Sequence, residues 1–172
     1  MRHVSYTHRF VATLLREKRG TLHCMHLVIV VGFLSAFLSF ILDAVIAGIL
    51  GKTGTIFIIG RFLRLSLSMN PGIAFSIRLP SPLQELLITG ALLAVGYAAV
   101  RSKPEAMSSA AFGLIFGGAA ANLVDRFIDG SVTDFIAVGT FPVFNLADAT
   151  ISVGVGLLLA ENLRKNGKKR IK

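Results

Sequence analysis

Four acidic residues stand where a mostly apolar chain has little reason to keep a charge: Asp43, Asp125, Asp134 and Asp148. A charged side chain at the centre of a bilayer costs ~2.5–3.5 kcal/mol or more, and those that persist usually face a helix-bundle interior and carry function. Asp134 and Asp148 are fourteen residues apart, and a turn at residues 139–142 folds the segment back so that the two carboxyl groups can meet. Two carboxylates held close together cannot readily both ionise, so they share a proton. Such a pair hydrolyses a peptide bond without a metal or cofactor. The ionised member takes a proton from water, the water attacks the carbonyl, and the protonated member supports the developing oxyanion.

The residue types leave other readings open. Asp148 also suits the start of a helix, where an acid accepts backbone N–H bonds and complements the macrodipole. Asp134 alone reads as an ordinary loop acid. Asn122 and Asp125 are three apart and share a helix face, and Asp125 reads as structural. Arg126 either holds Asp125 or touches a substrate carbonyl.

Lipid has to position these groups. Apolar residues make up 53% of the chain and charged ones only 16%, with a mean hydropathy of +0.71; a soluble domain is nearer one quarter charged. A span needs about 20 apolar residues, and runs at 27–50, 83–100, 106–124 and 141–160 approach or meet that length. The expected fold is an all-α membrane protein of four transmembrane helices, with a small β-sheet in the extracytoplasmic loop. Residues 1–26 form a basic leader, 27–164 the four-helix peptidase domain and 165–172 a basic tail. Val45-Ile46-Ala47 loosely fits a signal cleavage site, but the long leader and Asp43 favour an uncleaved span.

All four acids fall toward the same ends of these runs. Asp148 is expected about 10 Å into the fourth span at helical rise, and Asp43 at similar depth. The net charge of +9 sits mainly at the termini, beside apolar runs. That pattern reads as membrane orientation rather than nucleic-acid binding. Arg2, Arg9, Arg16, Lys18 and Arg19, with Arg101 and Lys103 and the basic tail, share one face if there are four spans. Both termini are therefore expected to be cytoplasmic and the acids to lie at the outer face.

Gly113, Gly117 and Ala121 recur every four residues in the third run, a spacing that lets helices approach closely. Between the first two runs, Leu63, Leu65, Leu67 and Met69 alternate with Arg64, Ser66, Ser68 and Asn70, the period of a half-buried strand. Pro71-Gly72 suits a type II turn, and residues 73–77 are expected to return as a second strand. Residues 130–141 read as a short extended stretch, and residues 51–54 as a hinge.

Other chemistries lack their residues. There is no GxSxG, HExxH or GxxxxGK[ST] motif. The four histidines all lie within the first 26 residues, on the expected cytoplasmic side. The single cysteine, Cys24, forms no internal disulfide, and with His23 and His26 it offers only three mixed metal ligands. That stretch reads as an interfacial linker, so no metal or cofactor is expected.

The motifs in sequence resemble those of the lipoprotein signal peptidases (signal peptidase II). They run Asn70-Pro71-Gly72-Ile73-Ala74-Phe75-Ser76, then Gly117-Gly118, Asn122, Asp125-Arg126, Gly130-Ser131-Val132-Thr133-Asp134-Phe135, and last Phe144-Asn145-Leu146-Ala147-Asp148. The resemblance covers residues 43–148 and is most specific from 117 to 148. It implies that Asp134 and Asp148 are a catalytic dyad. It also implies that Asn70, Gly72, Asn122, Arg126 and Asn145 line or brace the substrate site, with Asp125 and Asp43 in support. The implied substrate is a prolipoprotein cut before a diacylglyceryl-modified cysteine, the implied blockers are globomycin-type cyclic peptides, and the enzyme is expected to act as a monomer in the inner membrane. The family's usual Lys four residues after the first-span acid is Ala47 here, Pro71 and Ile73 replace commoner residues, and the leader is long.

Two other classes fit the residues less well. A proton-coupled carrier should place its acids at the midplane and show an internal repeat; neither is visible. A non-catalytic lipoprotein-biogenesis factor of the same fold would not need the intact acid pair.

Overall fold

The computed structural model describes residues 2–72, 79–80, 83–103 and 105–170, with side-chain placement described outside 2–18, 85 and 168–170. In chain order the elements are α1 (Arg2–Thr53), β1 (Ile56–Ile59), β2 (Leu63–Asn70), α2 (Leu83–Arg101), α3 (Ala106–Asp129), β3 (Val132–Val138) and α4 (Leu146–Arg170).

Among the described residues three helices are long and apolar enough to cross a membrane: Arg19–Thr53, Ala106–Asp129 and Leu146–Gly167. The described apolar part of α2, Leu86–Arg101, is shorter. Outward faces carry large apolar side chains such as Ile29, Phe33, Leu93 and Leu163. A protein in water rarely exposes so much contiguous apolar surface, whereas lipid tails accept it at no cost in hydration.

Helix α3 is the centre of the bundle, with its most extensive packing against α1 and α4 and little against α2. Its small residues make this possible. A Cβ added to Gly113 would come within 2.8 Å of the Val28 carbonyl oxygen and the Val31 Cβ, and one at Gly117 would collide with Ser35 Oγ and the Gly32 carbonyl. On the opposite side, Gly118 abuts Ala147 and Thr150 of α4, and a Cβ on Gly154 would lie 2.7 Å from the Ala111 carbonyl oxygen. The expected stripe thus meets α1 at Gly113 and Gly117, and the adjacent Gly118 meets α4, because backbone approach replaces the side-chain burial that lipid does not drive.

The sheet is antiparallel, in the order β1-β2-β3. The alternation in residues 63–70 forms β2 as expected. Its partners differ from the expected hairpin, since β1 precedes it and β3 arrives from the second connecting segment. The expected return strand at 73–77 lies outside the described residues. Phe57, Ile58, Ile59 and Phe62 are exposed on and beside this sheet, an apolar surface suited to the membrane interface.

Two boundaries depart from expectation. Helix α1 runs unbroken through residue 26 and ends at Thr53, where the Gly54 N–H bonds the Leu50 carbonyl at 2.9 Å and Gly54 takes φ 72°. Helix α4 begins at Leu146, so Asp148 lies in its first turn and not about 10 Å into a span that starts at residue 141. The apolar run from Phe141 conceals this start. Asn145, a good N-cap type with an acid three residues later, is the signal that marks it.

Candidate active site

The site is assembled by one fold-back. After β3 the chain turns through Gly139, whose φ of 54° suits a residue without a Cβ. It then runs back along its own strand. Ile136 and Phe144 exchange backbone hydrogen bonds at 2.8 and 3.0 Å, and the Phe135 N–H also reaches the Phe144 carbonyl. This tie returns residues 145–148 to the level of β3, as the turn at 139–142 was expected to do.

Asn145 then caps α4. Its Oδ1 accepts the Asp148 N–H at 2.8 Å, and its Nδ2 donates to Asn122 Oδ1 at 2.8 Å. With that oxygen occupied, the Asn122 amide is oriented, and its Nδ2 donates to Asp148 Oδ1 at 2.8 Å. Asn145 is fully buried and Asn122 nearly so. Buried amides need partners to offset desolvation, and this ring of three residues supplies them.

Asp134 is held from the other side. In the β2–β3 ladder Asn70 pairs with Val132 and Ser68 with Asp134, which makes residues 70 and 134 diagonal neighbours on one sheet face. Asn70 Nδ2 donates to Asp134 Oδ2 at 3.0 Å. The Asn70 oxygen meanwhile accepts the Gly72 N–H at 3.0 Å, turning the chain. Asp134 is 1% exposed and its Oδ1 has no hydrogen-bond partner among the described residues. Burial pushes its carboxyl up to about 6, the Asn70 hydrogen bond opposes this, and the negative charge of nearby Asp148 adds to it.

Arg126 ties the loops to α3. One guanidinium nitrogen donates to the Gly72 carbonyl at 2.7 Å and the other to the Asn122 carbonyl at 3.0 Å. It therefore braces the Asn70–Gly72 turn rather than serving only as a counter-charge to Asp125. Asp125 is buried, and its Oδ2 accepts the Thr133 N–H at 3.4 Å, where β3 begins. Asp43 is 5% exposed on α1, within electrostatic reach of Asp125, Asp134 and Asp148, and its Oδ1 is unpaired among the described residues. Ala47 offers it no charge.

Of these groups Asn70, Asn122, Arg126 and Asp148 line a cavity of ≈ 680 Å³, together with Phe141 and Phe144. Its walls are mainly apolar. Sequence reasoning gathered all of these polar residues. It missed Gln84, which is buried and whose Nε2 donates to the Pro71 carbonyl at 3.1 Å, tying the start of α2 to the same turn. A polar residue opening an apolar helix beside Pro80 was the available signal.

A family model described as signal peptidase (SPase) II matches residues 35–164. The chain belongs to the signal peptidase II family. Among relatives of this peptidase family, the lipoprotein signal peptidase of Aquifex aeolicus is 37% identical over 130 residues, covering 70% of this chain and 78% of that one. The lipoprotein signal peptidase of Chlorobium phaeobacteroides is 32% identical over 148 residues, covering 74% and 92%. A solved structure described as a bacterial membrane enzyme, determined by the in meso method, superposes with a TM-score of 0.68 at 29% identity, covering 82% of this chain and 92% of the other.

Proposed function

We propose that the protein is an aspartyl endopeptidase of the inner membrane that removes the signal peptide from diacylglyceryl-modified prolipoproteins, cutting before the lipidated cysteine. One observation supports this most directly. Asp134 and Asp148 are each fixed by an asparagine donor, and Asp148 and both asparagines line one mainly apolar cavity, with Asp134 buried behind Asn70. Both acids come from a single chain, so one copy suffices.

Asp148 borders the cavity in the first turn of α4, where free backbone N–H groups favour an anion. It takes a proton from water, and the water oxygen attacks the scissile carbonyl carbon. Asp134 carries the shared proton and donates a hydrogen bond to the carbonyl oxygen as it becomes negative. Asp148 then returns its proton to the leaving nitrogen as the C–N bond breaks. Asn70, Gly72, Asn122, Arg126 and Asn145 hold this arrangement, and Asp43 and Asp125 support it.

The proposed topology has four spans. The nineteen residues of α2 extend about 28 Å, close to the ~30 Å hydrocarbon thickness. Four spans bring both termini to the basic, cytoplasmic side and the acids to the outer leaflet, where a lipidated cysteine is anchored. The test is cleavage of a lipidated prolipoprotein by purified protein. Asp134→Asn and Asp148→Asn are each expected to lose about 10²–10⁴-fold in turnover while still binding substrate. Turnover near that of the parent by either variant would remove the mechanism, and equal cleavage of unlipidated precursor would remove the specificity.

A further inference from the structure

Helix α1 has 52 residues. At 1.5 Å per residue it is about 78 Å long, while a bilayer with its headgroups is about 40–45 Å thick. Among the described residues its apolar, membrane-length portion is Arg19–Thr53, and its apolar run starts at Leu27. About 30 Å of helix at the N-terminal end therefore extends past the membrane if α1 remains one rod.

The residue types of that overhang are ordered by the helix period. Successive residues advance 100°, so positions 2, 9, 16 and 23 fall on one face, and they hold Arg2, Arg9, Arg16 and His23, with Arg19 at its border. Val4, Phe10, Val11, Leu14, Leu15 and Leu22 fall on the opposite face, in a stripe roughly 140° wide. Five Lys or Arg and a single acid, Glu17, lie in residues 2–19. So broad a stripe, interrupted by Lys18, differs from the narrow seam of a helix dimer. It matches a helix lying in the headgroup plane, with its apolar side down and its basic side toward anionic lipid. Lys18 falls within the stripe, where a long apolar stem lets its charge reach the headgroups.

The described end of the overhang fits the same reading. Arg19, Leu22, His23 and Met25 are exposed. Gly20 lies between overhang and span, and no atom lies within 4 Å of where its Cβ would be. It is the weakest helix former in the segment and the natural place for the helix axis to change direction.

We infer that residues 2–19 form a basic amphipathic helix that binds the anionic lipid surface at that end of α1, turning at Gly20. The occupant is the membrane itself because the overhang continues directly from a spanning helix and its basic face complements acidic headgroups.

The full-length protein tests this. A Cys24→Ala background removes the single native thiol, and a fluorophore is placed on a cysteine at position 11 or 14, or at position 9 or 16. The protein is reconstituted in phosphatidylcholine with or without phosphatidylglycerol, plus lipids carrying a quencher. Labels at 11 and 14 are expected to be quenched several-fold more than labels at 9 and 16, and most in the anionic bilayer. In the position-11 reporter, Arg2→Glu, Arg9→Glu and Arg16→Glu together should lower the quenching several-fold. Equal quenching on both faces, or none, would overturn the inference. So would loss of quenching accompanied by cross-linking between copies through position 11, which would assign the apolar face to a second chain.

Discussion

Asn122 on α3 donates to Asp148 on α4 at 2.8 Å while accepting from Asn145 at the same distance. One amide thus fixes a carboxylate across a helix interface and is itself fixed by the cap of the helix that carries it. Removing Asn122 frees the carboxylate and strands a buried Asn145 amide in a single step. A hydrogen bond to a charged group contributes about 1.5–3 kcal/mol. Asn122→Ala is expected to lower turnover on lipidated precursor by about 10–100-fold on that scale. Asn145→Ala should behave similarly, and the double variant should be far less damaged than the product of the two. Multiplicative losses in a double-mutant cycle would show that the three residues do not act as a unit.

The Asn70–Asp134 pair predicts a direction in pH. Burial raises the Asp134 carboxyl to about 6, and the hydrogen bond from Asn70 works against that rise by favouring the ionised form. Asn70→Ala should therefore move the kcat/KM limb that reports this group to higher pH. The folded protein holds this proton more tightly than the unfolded chain, whose carboxylates release it near 4. Its contribution to stability is thus present at low pH and is lost as pH rises through this window, further up in the variant. An unmoved limb, or one displaced to lower pH, would contradict the assignment.

Glycine packing gives a stability test independent of chemistry. Gly117→Ala places a methyl group onto Ser35 and the Gly32 carbonyl of α1. Overpacking of this kind costs about 1–3 kcal/mol, and more where the obstacle is backbone. Gly156→Ala meets no atom within 4 Å, and in a helix interior it should be neutral or stabilising by up to ~1 kcal/mol. Thermal unfolding of the two variants in one detergent should separate them by several degrees. Equal midpoints would mean that α1 and α3 are not in backbone contact at residue 117.

Much of this was legible in the chain, for identifiable reasons. The acids stood out because lipid makes charge costly, β2 because its alternation is strict, and the α3 stripe because small residues recur every turn. The fold-back at residues 139–142 followed from glycine and proline in a short connector. The sheet order was not legible. Residues 68 and 134 pair across 65 intervening positions, and period-two patterning says which face a strand buries but not which strand lies beside it. The start of α4 was hidden because Phe141, Pro142, Val143 and Phe144 continue the apolar run, although they line the cavity outside the helix.

The order of elements carries a consequence for biogenesis. Asp148 rides on α4, which follows every other element in the chain. During synthesis the ribosome delivers three helices and the whole sheet before the second carboxylate appears. A nascent molecule halted anywhere before that point holds Asp134 beside Asn70 but lacks Asp148. On the proposed mechanism, the acid pair is therefore completed only by the last of the described helices.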